Sequence, residues 1–345
     1  MNKKRLLANG LLVLFSTALS LLVLEQSYRV YIFGSAGFSI NKMNSLQNLG
    51  VSGLLKPSNH SEIIYELKPN LNTYFKLAKF KTNSKGLRDK DYNFSKSGDI
   101  FRVAVIGDSV TMPSGVEIEE SYHSLLEEKL NNEQKKLTYQ FINFGVGGYS
   151  LRQYLGVIRF KAQEYDPDLI MVGFCPQNDH FIPPNKRFEQ QYKIKPATYP
   201  FFQFHIIKRA KQRIFKNKNK RGKRKINNAV PFSEEQKKYM SHIFSEMKAY
   251  SMEKNIPIII IYLDNKYNER YASELRELVV DNGLYFVNVS LPFKGTNVNE
   301  YMIYQKRKEG HPNGRANRIF AETLYDYLNL NSGNKKNFLY EKKND

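Results

Sequence analysis

The chain has 345 residues, 41% of them hydrophobic, enough to bury a sizeable core and to form one large domain or two small ones. Its 53 Lys and Arg against 33 Asp and Glu give a formal charge of +20, which favours an anionic contact: nucleic acid, lipid headgroups or an acidic polymer. The single cysteine, Cys175, excludes an internal disulfide framework and a thiolate metal cluster within one chain, and leaves the compartment undecided.

In chain order, "MNKKR" is followed by Leu6–Leu24, 19 residues without a charge and close to the roughly 20 that cross a bilayer as a helix. A cleavable signal peptide would have a shorter apolar region and a small-x-small site, and "LLVLEQSYRVYIF" offers no clean one, so a retained anchor over residues 1–30 is the preferred reading. Lys3, Lys4 and Arg5 precede the span and only Arg29 follows it closely, which keeps the tip cytoplasmic and sends the remainder across. Residues 31–100 are rich in turn formers, with short alternating pieces such as "SEIIYEL" and "TYFKLAKFKT"; they read as an extended or β-like spacer that packs on the main domain.

From residue 101 to 330 the pattern is regular. Apolar, β-branched or aromatic runs at Phe101–Ile106, Tyr139–Phe144, Asp168–Phe174, Ile258–Leu263 and Leu284–Val289 alternate with helical spacing in "SYHSLLEEKLNN", "SLRQYLGVIRFKAQEY", "SEEQKKYMSHIFSEMKAYSMEKN", "NERYASELRELVVDNG" and "GRANRIFAETLYDYL". Strand alternating with helix predicts an α/β fold, a five-stranded parallel sheet covered on both faces, with active groups beyond the carboxyl ends of the strands. Residues 200–228 are inserted into this pattern and end in a basic run, with Lys or Arg at 11 of the 18 positions from Lys208 to Lys225. The run reads either as a solvated flexible loop or as a contact for a membrane surface or anionic polymer; nucleic acid is not expected, because no recognition fold accompanies it. A polar basic tail, 331–345, closes the chain.

The stretches after the strands carry the chemistry. The first strand ends in Gly107-Asp108-Ser109, the second in "NFGVGGYS" (143–150), the third in "CPQND" (175–179), and "EGHPNG" (309–314) precedes the last helix. A serine hydroxyl is a weak nucleophile until a base takes its proton, and His311 is the natural base. Three donors could meet on the oxyanion of an attacked carbonyl: the N–H of Ser109 at the start of a helix, the N–H of Gly148, and the side-chain amide of Asn178. The structural alternatives are an N-cap for Ser109, a tight turn for Gly145, Gly147 and Gly148, a plain turn for Asn178 and Asp179, and a solvent-exposed loop position for His311. The other histidines, His60, His123, His180, His205 and His242, are scattered, so no metal site is indicated. Dinucleotide binding is disfavoured because Ser150 stands where the last glycine of G-x-G-x-x-G should be, and an α/β-hydrolase elbow because Thr111 stands two after Ser109.

Gly-Asp-Ser, a glycine block, an Asn-Asp block and a late His-Pro-Asn, in that order from Phe101 to Asn329, resemble the SGNH (GDSL) hydrolase superfamily; "NSKGLRDKDY" is similar to members with an N-terminal membrane anchor. The resemblance implies a flavodoxin-like three-layer α/β/α fold, Ser109 as nucleophile, Gly148 and Asn178 as oxyanion donors and His311 as base, with no cofactor. The family commonly places an Asp three residues before the histidine; here that residue is Lys308, and the nearest acid is Glu309. Either Glu309 orients the ring, or the pair works as a Ser-His dyad held by a backbone carbonyl, or the enzyme is impaired, and Lys308 would disfavour an imidazolium. The expected protein is a membrane-anchored, extracytoplasmic serine esterase acting on a small-molecule, glycan or lipid ester. An O-acyltransferase for a surface glycan and a silent module binding an anionic polymer are the alternatives. The oligomeric state is left open.

Overall fold

The structure is a computed structural model that describes residues 3–40, 42–43, 51–133, 136–176, 179–180, 232–304 and 309–330, without the side chains of 51, 52, 304, 309, 329 and 330. The basic run 208–225 and the tail 331–345 lie outside the described residues.

The chain opens with helix α1, Lys3–Phe33, whose 31 residues extend about 46 Å at the rise of an α-helix. It is long and apolar enough to cross a membrane. Leu7, Leu12, Leu14 and Phe15 are exposed along it. Two antiparallel ribbons come next: β1 (Leu55–Pro57) with β2 (Tyr65–Leu67), and β3 (Asn72–Phe75) with β4 (Ala78–Lys81).

The centre is a parallel sheet of β5 (Ile100–Gly107), β6 (Thr138–Asn143), β7 (Leu169–Phe174), β8 (Ile258–Tyr262) and β9 (Tyr285–Asn288), ordered β6-β5-β7-β8-β9. This is the flavodoxin-like order, and its switch point lies at the carboxyl ends of β5 and β7. Each strand departs by at most one residue at either end from the run expected for it.

Alternation along the strands makes the two cores. Ala104, Ile106, Ile170, Val172, Ile258 and Ile260 face one side, where they bury against α3 (Leu151–Phe160), α4 (Glu234–Lys254) and α5 (Glu269–Asp281). Val103, Val105, Leu169, Met171, Ile259 and Ile261 face the other, against α2 (Tyr122–Glu133) and α6 (Gly314–Leu330). Local signals set the helix starts: Ser150 and Ser233 close capping boxes with Gln153 and Gln236, and Asn268 caps α5. Residues 54–87 do more than bridge, since Leu54, Ile63, Tyr65, Leu67, Phe75 and Phe80 are buried in the same core as the α3–α5 face.

Candidate active site

Beyond Gly107 the chain does not enter a helix, contrary to the expectation for Ser109. Met112 N–H donates to the Asp108 carbonyl at 2.9 Å and closes one helical turn. The next bond needs an N–H from residue 113, which is proline, and Ser114 N–H reaches the Ser109 carbonyl at 3.0 Å instead. Helix α2 starts only at Tyr122, so Ser109 is neither an N-cap nor at the positive end of a helix dipole. The Asp108 carboxylate holds the turn by accepting Val110 N–H at 2.8 Å, and Ser109 Oγ lies 3.4 Å from Asp108 Oδ2.

Arg88, from the "NSKGLRDKDY" stretch, clamps the far side of this turn. Its guanidinium is 1% exposed and donates to the carbonyls of Met112, Pro113 and Val116 at 2.6–2.7 Å and to that of Lys79 at 2.9 Å. Burial lowers its pKa to about 10, so it stays charged at neutral pH.

The glycine block after β6 packs against the Ser109 turn. A Cβ on Gly145 would stand 2.6 Å from Met112 N and 2.8 Å from the Thr111 carbonyl carbon, so only glycine lets the two backbones approach this closely. Gly147 N–H meets Met112 Sδ at 3.3 Å, and Tyr65 Oη donates to the Gly147 carbonyl at 3.2 Å. Gly148 has φ +84° and is half-buried on the same loop. The tight turn allowed for this block is therefore present, with Gly145 and Gly147 against the Ser109 turn.

After β7, Asn178 lies outside the described residues, and its neighbour Asp179 is fully buried. Asp179 accepts Cys175 N–H at 2.6 Å and the Tyr154 hydroxyl at 2.9 Å. Burial first and the Asp108 charge second hold its carboxyl well above the usual carboxylate range.

His311 sits on a strand, not on an open loop: β11 (Glu309–Pro312) pairs antiparallel with β10 (Met302–Tyr304). Asn313 turns the chain into α6 by accepting Ala316 N–H at 3.1 Å, while its amide donates to the Glu300 and Met302 carbonyls. The half-buried imidazole stands with Nε2 at 2.9 Å from Ser109 Oγ, across 202 residues of sequence. On its other side, Nδ1 stands 3.0 Å from Lys76 Nζ. Lys308 and the Glu309 side chain are outside the described residues.

Lys76 has no counterpart among the residues expected at the site. It occupies the tip of the β3–β4 hairpin, where Lys76 and Leu77 have φ +48° and +75°, a mirror-image turn with no glycine or asparagine to announce it. Arg88 was visible within its motif, but its role depends on carbonyls between 24 and 28 residues further on.

No protein-family model and no curated protein matches the chain. Solved structures are similar to it. A two-domain esterase active on acetylated mannans is 13% identical over 68% of this chain, with a TM-score of 0.45; the match spans 50% of that longer protein. An acetyl xylan esterase is 15% identical over 66% of this chain and 100% of its own, at TM-score 0.40. A psychrotrophic esterase from Pseudoalteromonas sp. is 16% identical over 68% and 99%, at TM-score 0.41.

Proposed function

We propose that the protein is a serine ester hydrolase with Ser109 as nucleophile and His311 as general base. The observation that supports this most directly is the 2.9 Å approach of His311 Nε2 to Ser109 Oγ at the switch point of the sheet. In the forward step Ser109 Oγ bonds to the ester carbonyl carbon while its proton passes to Nε2. The carbonyl oxygen becomes anionic, held by the N–H groups of Ser109 and Gly148 and by the amide of Asn178. Collapse expels the alcohol, which takes the proton from Nε2, and water then attacks the acyl-enzyme by the same route to release the acid. The Arg88 clamp and the Gly145 contact support the reading, because preorganisation at the oxyanion demands a rigid turn; one such donor contributes about 2.7–4 kcal/mol. Either Glu309 or a backbone carbonyl holds Nδ1–H during turnover.

The anchor reading goes with this activity. Lys3, Lys4 and Arg5 at one end of α1 favour a cytoplasmic tip, which places Ser109 and His311 outside the cytoplasm, facing surface or lipid-associated esters. The test is hydrolysis of p-nitrophenyl acetate by the full chain in detergent micelles. Ser109→Ala is expected to reduce turnover by at least about a thousandfold. Equal turnover by the variant would remove Ser109 from the reaction.

A further inference from the structure

The contact between Lys76 and His311 has a consequence for substrate choice. An ammonium has three donors and no acceptor. At 3.0 Å from Nδ1, Lys76 Nζ therefore donates to that nitrogen, and the neutral ring carries its own hydrogen on Nε2, where it points at Ser109 Oγ. A base that must receive the serine proton at Nε2 needs the opposite tautomer. With Lys76 on Nδ1 the pair is thus geometrically assembled, while the favoured tautomer is the one that accepts the serine proton less readily. Positive charge gathering on the ring during proton transfer would also stand beside a second positive charge.

Three further observations bear on Lys76. Its backbone is fixed: the hairpin tip carries two successive non-glycine residues at positive φ, and a Cβ on Gly115 would lie 3.2 Å from Lys76 Cβ and 2.5 Å from Ile303 Cδ1. Its charge is carried on a flexible four-carbon stem, with Nζ 5.7 Å from the Phe75 ring centroid. And β11 has a second ammonium beside it, since Lys266 Nζ lies 3.4 Å from the position a Cβ on Gly310 would take. A fixed root and a movable charge suit the capture of an anion, in a chain of net charge +20.

We propose that Lys76 is a specificity-determining residue that selects esters bearing an anionic group near the scissile bond. The anion draws the ammonium away from Nδ1. One proton then leaves Nε2 to solvent and one enters Nδ1 from solvent, so the ring reaches the tautomer that accepts the Ser109 proton. Neutral esters leave Lys76 in place and are turned over slowly. This inference rests on the hydrolase reading above.

The test uses the full chain in detergent micelles and two esters that differ by one charge, 4-acetoxybenzoate and its methyl ester. Wild type is expected to favour the anionic ester in kcat/KM by about tenfold, the scale of one hydrogen bond to a charged group. Lys76→Met is expected to abolish the preference and to raise kcat on the methyl ester, whereas Lys76→Arg keeps the preference. A preference unchanged in Lys76→Met, or an equal loss on both esters, would overturn the role of Lys76 and leave the hydrolase reading standing. Failure of wild type and both variants to turn over either ester or to be labelled by a fluorophosphonate would overturn the hydrolase reading, and this proposal with it.

Discussion

His123, on α2, packs on the Ser109 turn from inside the fold. It is 1% exposed, its Nε2 stands 3.3 Å from the Thr111 carbonyl, and its Nδ1 is 3.4 Å from Ser121 Oγ. Burial lowers its pKa from 6.5 to about 3, with the Arg88 charge acting in the same direction. A base with a depressed folded-state pKa stabilises fully above its unfolded value and loses that contribution as pH falls. The contribution of His123 should therefore decrease below about pH 6.5 and continue to decrease towards pH 3, by about 1.4 kcal/mol per unit. Asp89, whose pKa burial raises to about 7, contributes in the opposite direction, so the His123 part is the difference between wild type and His123→Gln. Urea unfolding of both at pH 7 and pH 5 measures it. A variant with the wild-type slope would show that His123 is not the source. Arg88 acts on the same turn from the other side, with carbonyls where a partner carboxylate is usual for a buried charge.

At the scale of elements, the site is two loops, one turn and one ribbon held against each other by backbone contact. Gly145 lies against the backbone of Thr111 and Met112, so Gly145→Ala must shift the Ser109 turn. A displacement of that size costs about a hundredfold in turnover when nucleophile and base lose register. The p-nitrophenyl acetate kcat of this variant should fall accordingly, and a wild-type kcat would show that the glycine loop does not position Ser109. The elements also show how far residue patterns reach. Continuous runs such as Ile258–Tyr262 could be read as strands because both faces are buried, and "SEEQ" or "NERY" as helix starts because the caps are local. The helix expected at Ser109 failed because Pro113 removes one donor at the point where the second turn would form. The β10–β11 ribbon went unseen, being three and four residues long on either side of the charged "QKRK" stretch. Lys76 lay beyond reach for another reason: its partner is 235 residues away, and nothing local marks a hairpin tip built from Lys and Leu.

For the whole molecule, the sheet order gathers segments far apart in sequence into one rim. Ser109 follows β5, the glycine loop leaves its neighbour β6 at the edge of the sheet, and the Asp179 segment leaves its other neighbour, β7. The ribbons of residues 55–81 close the same rim from outside the sheet, so the region expected as a spacer contributes both core and site. Helix α1 is long and apolar enough to cross a membrane, and under the proposed reading its flanking charge keeps its tip cytoplasmic. All of this depends on an activated serine in the folded chain. The most direct measurement is reaction of the full chain in micelles with a fluorophosphonate, followed by mass spectrometry of the modified peptide. The account predicts a single adduct on Ser109, absent after unfolding in urea and strongly slowed in His311→Ala. An unlabelled Ser109 in the folded wild type, or labelling that survives unfolding or loss of His311 unchanged, would contradict it.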